Sequence, residues 1–365
     1  MKRHLIHLSL FAIFSPAAMA DSTNVWFGTT GPGIHVARLN TETGKLSQPS
    51  QASDVKSPGF LALHPTLPVL YAVCDTENGP GVAAFAINGT NLSPMGEQSI
   101  GDGGGTHVAV HPSGNFLTTA QYGGGSVAVF PLAKDGSVLE RSQLIEHEGG
   151  SRAVEGRQDS PHPHWSGFDA AGAFAFVPDL GLDGVVIYKV VDNARLERQG
   201  FAATAPGSGP RHMKFSPDGK HAYVLNEMAL TVTTFDYDPA NGTLKQKSTA
   251  PALTDEQKGR ETFNSASEIR VHPSGKFVYT ANRGHDTISV FQVSAEGSLT
   301  LIENEPIRGG WPRNFNLDPS GKWLLAAGRD SNTVAVFAVD QETGELTYSR
   351  QIINVPSSIC VLFSR

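Results

Sequence analysis

The sequence predicts an all-β protein: a seven-bladed β-propeller, closed by pairing of its N- and C-terminal strands in one blade. Three observations point there. A turn motif recurs six times along the 365 residues. Each copy is followed by alternating runs that end on an aromatic residue. The two chain ends supply complementary parts of a seventh copy. Repeats with a period just under fifty residues and four short strands per unit are the mark of a propeller.

The clearest copy runs from Gly209 to Phe235, GPRHMKFSPDGKHAYVLNEMALTVTTF. PRHMKF and HAYVLN read as strands around a Ser216-Pro217-Asp218-Gly219 turn, and TVTTF as a third strand. The residue before the turn proline anchors each copy: His64, His111, Asp169, Ser216, His272 and Asp318, spaced 46–58 residues apart. Pro follows in five copies, with Ala170 the exception. Gly stands three places after the anchor in five, with Leu67 the exception. Pro presets φ for the second turn position, and Gly accepts the positive φ that the turn needs. Phe130, Tyr188, Phe235, Phe291 and Phe337 stand nineteen places after their anchors and close runs such as SVAVF and TISVF; alternation of this kind is strand-like. The weaker run after the aromatic, such as Thr243–Ser248, supplies the fourth strand. NVWFGTTGPGIHVARLN near the start has second and third strands without a first, and VPSSICVLF at the end reads as a lone first strand. Joining them leaves no free sheet edge at the closure.

Residues 1–20 read as a secretory signal peptide: Lys2 and Arg3, a short apolar stretch from Leu5 to Phe14, and Ala18-Met19-Ala20 before the cut. Residues 21–365 then form one domain in a bacterial periplasm. The formal charge of −7 becomes −9 once Lys2 and Arg3 are gone, which argues against nucleic-acid or anionic-membrane partners. A monomer is expected. Cys74 and Cys360 lack zinc-ligand spacing; an oxidising compartment permits a bond between them, but they read as small buried hydrophobes. Asp102–Gly105 and Gly123–Gly125 do not continue into a phosphate loop and read as blade turns. Two insertions, about 144–161 and 251–266, each precede the first strand of a blade, and long loops of this kind often carry function.

In a propeller the first strand lines the central channel. Two positions per blade converge at one channel mouth: the start of strand one and the end of strand two. The first set is Gly59, Thr106, His164, Arg211, Ser267 and Arg313; the second is Asp75, Tyr122, Leu180, Glu227, Arg283 and Arg329. One His, one Glu and four Arg in neighbouring blades favour an anionic or carbonyl-bearing ligand. The bland alternative is a structural ring of ion pairs, Glu227 with Arg211 and Arg283. His64, His111 and His272 recur at the anchor and read as turn packing. His107 and His212 are off the converging register and suit supporting roles, and Glu268 is a candidate to accompany the site. His162-Pro163-His164 converges with arginines rather than with Asp or Cys, so no metal or other cofactor is expected. No serine-hydrolase elbow or zincin motif occurs in the chain.

GPRHMKFSPDGKHAYVLNE, SASEIRVHPSGKFVYTANRGHDTISVF and WPRNFNLDPSGKWLLAAGRDSNTVAVF together resemble the lactonase family of seven-bladed propellers, which holds 6-phosphogluconolactonases and carboxy-muconate cyclases. The resemblance covers essentially the whole mature chain. It implies catalytic roles for His164, Arg211, Glu227 and Arg283, and Arg313 in WPRNF matches a further Arg-bearing motif of the family. With Arg329, Glu268 and His212 from the reading of the residues themselves, Arg313 makes up the substrate-binding candidates. It implies a small lactone or anionic sugar-acid substrate, unphosphorylated if the protein is exported. Chemically, Glu227 or His164 would be the general base, and the arginines would hold the carbonyl oxygen and any acidic group. Ring closure of an unsaturated diacid, or a non-catalytic binding propeller, are the alternatives.

Overall fold

The structure, a computed structural model, describes residues 22–192 and 194–364. Its strands form five four-stranded antiparallel sheets and one seven-stranded sheet. The helix at Asp255–Lys258 is a single turn. The seven-stranded sheet is two blades sharing one long strand, Ser50–Leu63. Its first half pairs backwards, Ser50 with Val36 and Ser53 with Ile34. Its second half pairs forwards, Phe60 with Val73 and Leu63 with Leu70. Divided there, the sheets make seven blades of four strands. The expected partition of the chain ends is seen in the pairing of Ser358–Phe363 with Ser22–Thr29, Phe363 opposite Val25 and Val361 opposite Phe27. Trp26 Nε1 also donates to Ser364 Oγ at 2.9 Å.

The core lies between sheets. Phe277, Tyr279 and Val290 of one blade pack with Phe315, Leu324 and Phe337 of the next. Val25 and Phe27 from the start of the chain pack with Val361 and Phe363 from its end and with Leu325 and Val336. A second strand therefore meets a neighbour on each face. That is why Phe277–Arg283 is buried at every position and why such strands read as nearly continuous apolar runs rather than alternating ones.

The anchor residues join blades as well as turns. His64 Nε2–H donates to the Gly114 carbonyl at 3.1 Å, His111 to Gly172 at 2.8 Å and His272 to Gly321 at 3.1 Å. Each acceptor is the turn glycine of the following blade. In the blades anchored by aspartate, the carboxylate accepts from its own turn, from Phe174 N at 2.9 Å for Asp169 and from Trp323 N at 2.8 Å for Asp318, and Asp169 also accepts from the Tyr237 hydroxyl of the following blade at 3.1 Å.

One blade departs from the expected pattern. Its first strand is only Gly167–Phe168, preceded by an isolated bridge between Pro163 and Asp179. Pro161 and Pro163 have no N–H for a ladder, so His164 sits in irregular backbone just ahead of the strand. The cysteines are both free and buried in one apolar cluster, as expected of small hydrophobes. The expected signal peptide lies outside the described residues. Among the described residues no helix is long and apolar enough to cross a membrane.

Candidate active site

Arg211 opens the strand Pro210–Phe215, and Glu227 follows the adjacent strand His221–Asn226. The antiparallel hairpin puts both at one channel mouth. Arg211 Nε donates to Glu227 Oε2 at 2.9 Å, and Arg283 Nη2, from the next blade, approaches the same oxygen at 3.2 Å. Arg157, in the first insertion, donates from Nη2 to Glu227 Oε1 at 2.9 Å. Three guanidiniums thus share one carboxylate. Burial alone would raise the Glu227 carboxyl, but Arg283, Arg211 and Arg157 outweigh it and hold it below its ordinary value of 4.5. Arg211 is only 2% exposed. Its Nη1 also donates to the Ser267 carbonyl and to His212 Nε2, the latter at 3.2 Å. Burial, followed by repulsion from Arg283, pulls its pKa down to about 9, which still leaves it charged at neutral pH.

Beside this cluster lies a pocket of about 110 Å3, lined among others by Phe60, Thr106, His164, Arg211, His212 and Arg313. His164 is buried, with its Nδ1 3.3 Å from His212 Nε2. Burial first, and then the charges of Arg211 and Arg313, hold both imidazoles well below the ordinary histidine value, so they are neutral. The Arg313 guanidinium makes no hydrogen bond and no salt bridge among the described residues, and the charge of Glu227 acts on it only from farther off. Burial and the nearby Arg283 pull it to about 10. An unpartnered guanidinium beside a neutral imidazole leaves one cation for an incoming oxygen anion and one lone pair for a proton.

The remaining predicted residues sit around this pocket. Arg329 is at the rim; its Nε donates to Asp330 at 2.7 Å and its guanidinium lies 5.2 Å over the Trp311 ring. His212 lines the pocket. Glu268 does not: it is fully buried behind His212, accepting from His212 Nδ1 at 3.1 Å, from its neighbour Ile269 N at 2.9 Å and from Asn314 Nδ2. Among the described residues no group of three or more His, Cys, Asp or Glu is placed to hold a metal ion.

Sequence reasoning missed Arg157, Trp311 and Phe263. Both insertions were flagged, but nothing in RAVEGR says which arginine turns inward. Trp311 adopts a left-handed backbone, φ 61°, that a bulky residue tolerates only when held; its N–H donates to Asp286 at 2.9 Å. Its ring carries Arg283 and Arg329 on cation–π contacts and stacks on Phe263 of the second insertion at 5.7 Å. Gly284, φ 91°, lets that insertion cross closely: a Cβ there would strike the Phe263 carbonyl.

A family model described as lactonase, seven-bladed β-propeller, matches residues 22–363. A 6-phosphogluconolactonase of Bacillus subtilis is 36% identical over 335 residues, 91% of this chain and 94% of that one. One from Formosa agariphila is 34% identical over 342 residues, 90% and 95% of the two chains. Among solved structures, the periplasmic gluconolactonase of Pseudomonas aeruginosa superposes with a TM-score of 0.86 at 27% identity, covering 94% of this chain and 99% of its own. A protein from Lactobacillus plantarum gives 0.88 at 29% identity, covering 94% and 100%.

Proposed function

Because the chain belongs to the lactonase family of seven-bladed β-propellers, we propose that it is a periplasmic hydrolase of a sugar lactone of the gluconolactone type, working as a monomer in a ring closed through its terminal strands. The observation that carries the reading is the pairing, in one pocket, of the neutral His164 imidazole with the unpartnered Arg313 guanidinium. Two names support the substrate class, the 6-phosphogluconolactonases of B. subtilis and F. agariphila and the periplasmic gluconolactonase of P. aeruginosa. The leader read in residues 1–20 favours an unphosphorylated lactone, because sugar phosphates are cytoplasmic metabolites.

His164 is the general base, and Glu227 is not. Both oxygens of the Glu227 carboxylate are taken by guanidiniums, whereas His164 lines the pocket as a neutral imidazole with a lone pair to accept a proton. His164 takes a proton from water, and the hydroxide adds to the lactone carbonyl carbon. Arg313 and Arg211 stabilise the oxyanion that forms. The tetrahedral intermediate collapses with cleavage of the bond from the acyl carbon to the ring oxygen. The proton held by His164 passes to that oxygen, which leaves as the product's hydroxyl. Glu227 fixes Arg211, Arg283 and Arg157 around the mouth.

The test is acid release from glucono-δ-lactone, its 6-phosphate and a muconolactone, above the spontaneous rate and with chelator present. Turnover of a gluconolactone that is lost in His164→Gln supports the reading. Turnover of the muconolactone alone favours the cyclase-type alternative, and no acceleration on any of the three removes the enzymatic reading for these substrates.

A further inference from the structure

Glu268 is a carboxylate inside the channel wall, fully buried and one layer behind the pocket. Its bonds run in a line towards His164, and the line has a direction. Arg211 Nη1 lies 3.2 Å from His212 Nε2. A guanidinium only donates, so His212 Nε2 carries a lone pair. The proton of the neutral His212 ring is therefore on Nδ1, which donates to Glu268 Oε1 at 3.1 Å. His164 Nδ1 also faces His212 Nε2, at 3.3 Å. Two ring nitrogens facing each other need one proton between them, and His212 Nε2 has none, so it stands on His164 Nδ1.

We infer that Glu268 and His212 are positioning residues that hold His164 in the tautomer with Nδ1 protonated and Nε2 bare. This rests on the assignment of His164 as the base. Glu268 anchors the line from three other sides: Asn314 Nδ2 donates to Oε2, Ile269 N donates to Oε1, and Arg270 Nη1 lies 3.2 Å from Oε1. These contacts keep the carboxylate from rotating away from His212. Burial first, and then the charges of Arg211, Lys214, Arg270 and Arg313, keep His212 neutral. A protonated His212 would have no lone pair for Arg211 or His164, and the order of protons along the line would be lost. Neither residue touches the reacting atoms in this scheme; each acts through the imidazole in front of it.

Nitrogen-15 imidazole spectra of the full chain test the assignment directly, with the His164 signals identified by their loss in His164→Gln. The expected result is a protonated Nδ1 and a bare Nε2. His212→Gln can present an oxygen near the position of the lost Nε2 and keeps this pattern; His212→Asn is too short and loses it. In turnover, His212→Asn lowers kcat about 100-fold with little change in KM, and His212→Gln recovers about a tenth or more of wild-type kcat. Glu268→Gln, which keeps an acceptor but not the charge, lies between them. A wild-type His164 protonated on Nε2 overturns the inference, and so does a His212→Asn protein with the wild-type spectrum and kcat. The wild-type spectrum gives its answer even if the His212 variants do not fold. It also does so if none of the three lactones is turned over, so a failure of the proposed reaction is told apart from a failure of the tautomer assignment.

Discussion

Arg211 and Glu227 stand sixteen residues apart in the chain and meet at 2.9 Å at the channel mouth, Nε to Oε2. The hairpin between them makes the pair, and the neighbouring blade completes it with Arg283. Removing the carboxylate leaves three guanidiniums facing one another in a buried site. Glu227→Gln is expected to destabilise the fold by about 3–5 kcal/mol and to abolish most turnover by releasing Arg211. Denaturant unfolding alongside kcat/KM checks both.

The pH dependence of stability follows from three depressed groups. Glu227 is held below 4.5 when folded, so the unfolded chain binds the proton more readily. Its contribution is full above pH 4.5 and is lost as pH falls towards the lower folded value. His164 and His212 are depressed below 6.5. They remove stability as pH drops from 6.5 towards their folded values, for the same reason. Thermal scans from pH 8 to about 2 should show a two-stage decline, and Glu227→Gln should flatten only the lower stage.

Activity follows the same imidazole with the opposite practical consequence. A base kept neutral by burial and by Arg211 works below the ordinary histidine pKa. The acid limb of kcat/KM is expected below pH 6.5, and a limb centred above 6.5 contradicts the His164 assignment.

Arg313 carries an unpaired charge in a partly enclosed pocket, an arrangement that costs stability and serves a ligand. Arg313→Met should raise Tm by a few degrees, corresponding to about 1 kcal/mol, while kcat/KM falls about 100-fold. Loss of both Tm and activity would mean that the guanidinium has a structural partner instead.

Arg157 is reached from a loop and is more than a third exposed. Its pair with Glu227 should contribute less than about 1 kcal/mol to stability. Arg157→Ala is therefore expected to leave Tm nearly unchanged and to raise KM, read from initial rates over a range of lactone concentration.

Burial raises both thiols to about 12, with nearby acidic residues adding to the effect on Cys74. Neither should react with an alkylating reagent in the folded protein, and a reductant should leave Tm unmoved. Denaturation should expose two reactive thiols.

The repeat was legible because turn chemistry is local. Pro and Gly at fixed offsets from His111, Ser216 or His272 need no tertiary information to be read. Once the blade is set, the converging register places Arg211, Glu227, Arg283, His164 and Arg313 together, as the structure does. The limits were equally physical. Arg157 and Phe263 lie on insertions with no period, so no register places them. Glu268 was read as a ligand contact because sequence gives position around the channel but not depth along it. The two-residue strand beside His164 escaped notice because prolines remove its ladder while leaving the turn motif that signals the blade.

The histidine-to-glycine stitches of His64, His111 and His272 lie at the turns between first and second strands, on the side of the channel away from the arginines. They act as rivets on the base of a cup. With three of the seven joints between walls fastened below in this way, splaying of the upper opening is resisted at those joints. The two long loops at the brim, with Arg157 and Phe263, are left to adjust to a guest.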